Sequence, residues 1–380
     1  MTGPLQGMRV VEIAALGPAP FCGMVLADLG ADVVRVDRAD AVTGGHTGST
    51  RNDLLGRGKS SIAVDLKHEE GVRAVLRLVQ SADALIEGFR PGVTERLGIG
   101  PAPCLAQNPA LVFGRMTGWG QDGPLSGRAG HDIDYIALSG ALAAIGPQER
   151  PLPPLNLVGD FGGGGMFLAV GLLAAVLHAR ETGQGQVVDA AMIDGSALLT
   201  TAMHGHIAEG WWTARREDNL LDGGAPFYQV YETADGRQIA VGALEPQFFA
   251  ALLEGLRIDP ESLPAQGDRE GWPSIRAALA AKFASQSRDH WAEHFATRDA
   301  CVSPVLDATE APDHSHNRAR EVFIEVDGVS QPAPGPRFSA TPLSLPSGPG
   351  YPGRDTDLVL KTLGYSGTEV SMLRRVGAVA

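Results

Sequence analysis

Hydrophobic and polar positions in the first half of the chain switch repeatedly between a strand period and a helix period. Met8 to Ile13 predicts a strand, Phe21 to Leu29 a helix stopped by Gly30, and Val33 to Val36 the next strand. Between Glu69 and Gln80, the residues Val72, Val75, Leu76 and Val79 fall at i, i+3, i+4 and i+7, the spacing of one helical face. Ala84 to Glu87 and Leu111 to Phe113 predict two further strands. Strands alternating with helices indicate βαβ units. The expected class is therefore α/β, with a doubly wound, Rossmann-like parallel sheet.

From Asp132 the pattern turns helical, over about Ile133 to Ile145, Gly164 to Arg180 and Ile193 to Ala208. The stretch Trp211 to Gly224, rich in charge, Asn and Gly, reads as a connection. Phe227 to Tyr231 and Gln238 to Val241 flank Ala234-Asp235-Gly236-Arg237, and Asp-Gly between two β-rich runs is a strong hairpin signal. Helical patterns follow at Pro246 to Gly255, Trp272 to Ser285 and Asp289 to Thr297. Residues 331–354, crowded with Pro, Gly and Ser, suggest an extended return, and the helical piece from about Thr356 to Val376 carries no readable chemistry. The expected organisation is a discontinuous large domain (1–190 and 330–380), a linker helix and connection (191–224), a small α+β domain (225–320) and a return linker (321–329).

Composition narrows the function classes. Asp and Glu (44) outnumber Lys and Arg (31), a balance that argues against a nucleic acid or an anionic membrane as partner. Cys22, Cys104 and Cys301 form no CxxC or metal spacing, which suits a reducing compartment. No basic segment followed by an apolar one opens the sequence. The most apolar stretch, Met166 to Leu177, is shorter than the about 20 residues a membrane helix needs. A cytoplasmic protein is expected.

Candidate chemistry is sparse on spacing alone. His204 with His206 and His314 with His316 are i, i+2 pairs, which on a helix point to different sides, so no metal site is expected. Asp160 precedes Gly162-Gly163-Gly164-Gly165 without GxGxxG spacing or a Walker lysine. Those glycines suit either a group approaching a helix N-terminus or close helix packing. Arg38, Arg57, Lys59, Lys67, Arg90 and Arg96 lie at or beyond the ends of early strands, where an open α/β sheet binds ligands. Arg38 and Arg90, each just past a strand, could converge on one polyanion, although any single arginine more often serves a solvated surface. His131 stands where a loop enters a helix, with Asp132 able to cap that helix. Glu245 opens another helix, where its plainest role is to complement the helix dipole.

An ordered series of motifs says more. LADLGADVVRVDR (26–38), AVDLK (63–67), LIEGFRPGVTERLG (85–98), RMTGWGQDGP (115–124), GHDIDY (130–135), PPLNLVGDFGGGG (153–165), GQVVDAAMIDGS (185–196) and VGALEPQFF (241–249) resemble the family III CoA-transferase superfamily, and within it the α-methylacyl-CoA racemases. The resemblance runs from Leu5 to about Pro342. It implies a CoA groove lined by Arg38, Val64, Asp65, Leu66, Lys67, Gly88, Phe89, Arg90 and Arg96, where arginine forks suit phosphate oxygens and adenine faces. It places Gly130, Asp132, Ile133, Asp134 and Tyr135 against the thioester.

The same resemblance assigns the catalytic groups. Transferases of this superfamily use the aspartate equivalent to Asp160 as a nucleophile, whereas racemases keep it and add a histidine and a glutamate at the positions of His131 and Glu245. The implied reaction interconverts (2R)- and (2S)-2-methylacyl-CoA, with His131 on one face of the α-carbon, Asp160 on the other, and Glu245 orienting the histidine. The alternative is a CoA-transferase acylated on Asp160. No metal, flavin or nicotinamide cofactor is implied, because CoA is part of the substrate. Relatives are interlocked homodimers whose active sites lie between the large domain of one subunit and the small domain of the other.

Overall fold

The computed structural model describes residues 2–43 and 50–380. Six parallel strands form the main sheet: β1 (Arg9–Ile13), β2 (Asp32–Arg38), β3 (Ser60–Val64), β4 (Ala84–Glu87), β5 (Val112–Thr117) and β6 (Gln186–Ala191), in the order β3-β2-β1-β4-β5-β6. Neighbouring residues on a strand serve opposite faces. Val10, Ile86 and Val112 join Leu26, Leu168 and Leu172 on one side. Val11, Leu85 and Phe113 join Val75, Leu360 and Leu373 on the other. Both faces are covered, which is why the strands read as near-continuous apolar runs. The C-terminal helices, Thr356–Thr362 and Gly367–Arg375, supply part of that second face through Val359, Leu360, Val370 and Leu373.

The chain divides into two compact units. One comprises Met1–Ser139, Leu155–Leu199 and Asn317–Ala380, and the other Gly140–Pro154 with Thr200–His316. These boundaries differ from the expected ones: 140–154 leaves the large unit, 191–199 joins it, and 317–329 belongs to it. The excursion 140–154 is held in the second unit by Arg216, whose guanidinium donates to the carbonyls of Ala143, Pro147 and Gln148. That unit has an antiparallel sheet of β7 (Tyr228–Glu232), β8 (Gln238–Gly242) and β9 (Val302–Pro304), with Gly236 at positive φ in the β7–β8 turn. Phe227, Phe249, Ile275, Phe283, Trp291 and Phe295 lie in its core.

Several elements depart from the sequence expectations. The return segment contains an antiparallel hairpin, β10 (Phe323–Val326) and β11 (Val329–Pro332). Its turn, Asp327-Gly328, has φ of 51° and 72°, the left-handed pair that a two-residue hairpin loop requires. The hairpin docks through buried Arg57, which bonds Gln331, the Pro332 carbonyl and Asp28. Lys59 is likewise buried, 2.6 Å from Glu12. Arg57 and Lys59 therefore brace the fold and do not join a phosphate site. The expected helix from Ile133 ends at Leu138, and that from Ile193 breaks at Thr200 into Met192–Leu199 and Thr201–Ala208.

The largest departure concerns the glycine run. Residues Leu157–Met166 are wound as a π-helix that continues directly into the helix Phe167–Thr182. The combined run is 26 residues and holds an 18-residue window of mean hydropathy 1.7, so by length and composition it would reach across a bilayer, contrary to the short stretch expected. Here Leu168, Leu172 and Val176 are buried in the sheet core. The glycines permit backbone-on-backbone packing. A Cβ on Gly195 would sit 1.9 Å from the Gly163 carbonyl oxygen, and one on Gly165 would sit 2.7 Å from that of Pro18. Close packing is thus their use. Gly195→Ala should destabilise the protein by about 1–3 kcal/mol, read as a lowered urea midpoint, because a backbone atom must move.

Candidate active site

The sheet order reverses between β1 and β4, and the loops leaving these strands diverge there. Such a switch point, outside the carboxyl ends of the strands, is where doubly wound sheets bind ligands. A cavity of about 240 Å³ opens at this place. Leu16 and Pro18 after β1, Phe89 and Arg90 after β4, Trp119 after β5, and His131 line it. Gly88 lets the two loops meet, since a Cβ there would lie 3.0 Å from that of Ala15. The β4 loop is clamped from below: Glu87 accepts the Phe89 N–H at 2.7 Å and receives the Arg115 guanidinium at 3.0 Å.

Asp160 projects from the π-helical turns, a distortion often found at functional sites. Its carboxylate lies against Gly17, at φ 71°, where a Cβ would come within 3.2 Å of Oδ2. Partial burial raises its pKa above the ordinary carboxylate range. A hydrogen bond from Asn156 Nδ2 at 3.1 Å and the charge of His131 oppose that shift, and Asp132 adds to it. Asn156→Ala removes the donor that favours the charged form. The acid limb of the kcat/KM profile should then move to higher pH.

His131 occupies the N-cap position of the helix Asp132–Leu138, with its imidazole exposed. The cap is closed by Asp134, whose carboxylate accepts the His131 N–H at 2.9 Å. Asp132, expected as the capping side chain, turns inward instead, and its Oδ1 accepts the Asp160 N–H at 2.7 Å. One carboxylate therefore ties the His131 helix to the segment carrying Asp160. A Cβ on Gly159 would fall 2.4 Å from that Oδ1, so the approach requires glycine. Tyr135 donates to the Gly130 carbonyl, and burial followed by the charge of Asp160 pushes its pKa up to about 12. It stays a donor and fixes the loop before His131.

A second groove of about 750 Å³ lies beyond β2 and β3. Arg38 and the run Val64, Asp65, Leu66 and Lys67 line it, and Phe89 lines both cavities. The structure thus gathers ten of the fourteen expected CoA residues along one edge of the sheet: Gly88, Phe89, Arg90, Gly130 and Tyr135 at the first cavity, Arg38, Val64, Asp65, Leu66 and Lys67 at the second. It does not bring Arg96, whose guanidinium folds over Gly92, nor Asp132, Ile133 and Asp134, to either cavity lining, and Asp160 lies behind the first lining, against Gly17. Sequence reading missed Met116, Trp119, Arg128 and Met192 at the first cavity and Arg374 at the second. Glu245 belongs to the second unit as the N-cap of the helix Pro246–Leu256, and its exposed side chain makes no capping bond.

Comparison with known proteins fits this arrangement. CoA-transferase family III matches residues 5–356, nearly the whole chain. The chain belongs to CoA-transferase family III. Two relatives are mouse and human proteins named alpha-methylacyl-CoA racemase, 47% and 44% identical, each aligned over 97% of this chain and 96% of its own length. Among solved structures, a CAIB/BAIF family protein from Brucella suis superposes with a TM-score of 0.82 at 24% identity, covering 96% of this chain and 100% of that one. That likeness is one of fold. The match to family III ends at residue 356, where the first of the two C-terminal helices begins.

Proposed function

We propose that this chain is an α-methylacyl-CoA racemase, an isomerase that interconverts the (2R) and (2S) epimers of 2-methylacyl-CoA thioesters. The observation that carries the reading is a half-buried carboxyl of raised pKa, Asp160, packed against Gly17 between the cavity-lining Leu16 and Pro18 and acted on by the charge of His131, which lines the same cavity. Inversion at a C–H centre requires one group to take the proton from one face and another to return a proton to the opposite face. A carboxyl is ordinarily a far weaker base than an imidazole, so raising the Asp160 carboxyl narrows the mismatch between the two kinds of group.

In this mechanism the base facing the α-hydrogen breaks the C–H bond, and the electron pair passes to the thioester oxygen as an enolate. The enolate oxygen needs donors already in place. The backbone N–H of Asp132, in the first turn after His131, is the candidate, since first-turn N–H groups have no intrahelical partner. The group on the other face then delivers its proton to the α-carbon. His131 and Asp160 exchange roles with the direction of reaction. Glu245 is assigned to orient His131 and stabilise its imidazolium, a role supported by a side chain not spent on its own helix.

The homodimer implied by the resemblance is part of the proposal. Exposed Met166, Val170 and Leu177 recur at i, i+4 and i+11 on one face of the long helix, with Leu198 and Leu199 also exposed. A single monomeric species by sedimentation would remove it. Activity is tested by incubating one epimer of a 2-methylacyl-CoA in D2O. Deuterium at the α-carbon together with the second epimer is expected, and the absence of both would sink the racemase reading. A hydroxylamine-sensitive acyl group on Asp160 would instead establish the transferase.

A further inference from the structure

The C-terminal residues remain without a role in the site. The helix Gly367–Arg375 ends with Gly377 at φ 77°, its N–H bonded to the Arg374 carbonyl, and with the Ala378 N–H bonded to that of Leu373. This left-handed stop turns the chain back onto the edge strand β3. Asp65 N–H donates to the Ala378 carbonyl, Val379 bridges Val64 antiparallel, and Ala380 N–H donates to the Ala63 carbonyl. The arm thereby lies beside the residues that β3 delivers to the larger groove. Arg374, Gly377, Val379 and Ala380 line that groove together with Arg38 and Lys67.

Covering a sheet edge explains the backbone pairing and the buried Leu373 and Val379. It does not call for Arg374. That side chain is 43% exposed, and its partner Asp357, reached at 2.7 Å, is 53% exposed. An ion pair so wet contributes little to stability. The placement of Arg374 makes sense toward a ligand. Along the sheet edge, the thioester cavity lies over β1, β4 and β5, and the groove follows over β2 and β3, with the C-terminal arm as the next position outward. A CoA thioester laid in that direction brings its far end, the phosphorylated ribose, to the arm. Apolar Val64, Leu66, Phe89 and Leu97 offer a surface for a purine, and the cations stand around it.

We propose that the C-terminal arm, Arg374 to Ala380, walls the nucleotide half of the CoA site and that Arg374 binds the 3′-phosphate. The assignment rests on the acyl-CoA reading above. An arginine fork offers a phosphate paired charge-assisted bonds, stronger than its solvent-exposed contact with one carboxylate, so the guanidinium exchanges Asp357 for the ligand.

Calorimetric titration of the full chain with free CoA and with 3′-dephospho-CoA tests it. Wild-type protein is expected to bind CoA more tightly than dephospho-CoA. Arg374→Gln should weaken CoA binding by about five- to tenfold and leave dephospho-CoA within about twofold, the scale of one partly screened charge-assisted contact. Asp357→Asn, which releases the guanidinium, should leave CoA binding unchanged or tighter. If Asp357→Asn instead weakens CoA as Arg374→Gln does, the ion pair is only structural and the assignment is overturned. Equal weakening of both ligands by Arg374→Gln, or weakening of neither, also overturns it. Wild-type protein that binds neither ligand removes the acyl-CoA reading and this assignment together, whereas tight CoA binding with an indifferent Arg374→Gln removes the assignment alone.

Discussion

His131→Ala is expected to lower the epimerisation rate by about a thousandfold, within the range that one positioned acid–base group supplies. The fold should survive, because the cap is closed by the Asp134 carboxylate on the His131 backbone N–H, which alanine retains. The sharper signature lies in isotope exchange. With one of two opposed bases gone, Asp160 still removes the proton it faces, and the same group returns a deuteron to the same side. One epimer should therefore take up α-deuterium without inverting, and the other should exchange hardly at all. Equal exchange from both epimers, or full activity, would place His131 outside the mechanism.

Asp160→Asn should give the mirror image. Epimerisation falls by a comparable factor, and residual exchange appears from the opposite epimer, now through His131. Stability provides a second readout with a definite sign. Burial raises the Asp160 pKa, so the native state holds that proton more tightly than the unfolded chain, and the charged form weakens the fold. The amide removes that charge. Its variant should melt slightly higher than wild type at neutral pH, and the advantage should vanish as the pH falls through the raised pKa, where wild-type Asp160 takes up its proton. An advantage that grows on acidification would contradict the assigned burial. If the variant instead retains inversion, Asp160 is not the second base.

Legibility followed the range of the interactions. The helix at Glu69–Val79 and the hairpin at Asp235-Gly236 stood out because each depends on neighbours within a few residues. Asp327-Gly328 carries the same turn signal as Asp235-Gly236, yet the surrounding Pro- and Ser-rich composition masked it. β6 was missed because its residues, Gln186-Val187-Val188-Asp189, sit largely exposed at a sheet edge with no apolar alternation to mark them. Arg57 and Lys59 resembled phosphate ligands by position. Only the packed structure shows them turned inward against Asp28 and Glu12.

The candidate site divides in the same way. An ordered motif series pointed to His131, Asp160 and the β4 loop by its resemblance to a family, whereas their spacing alone left each an ordinary capping or loop residue. What the linear order could not supply is the environment of Asp160. Burial and then Asp132 raise its pKa while Asn156 holds it back, and these groups meet around it through a π-helical distortion and glycines that allow backbones to touch. The role of the C-terminal arm was hidden for the same reason: Val379 lies 315 positions from Val64, and only antiparallel pairing at the sheet edge makes them neighbours. Sequence alone determined the α/β class, which rests on local periodicity, and its motif series named the proposed reacting groups by resemblance to a family. Tertiary structure decided how deeply those groups are buried and which distant residues face them, since desolvation and long-range contact exist only once the chain has packed.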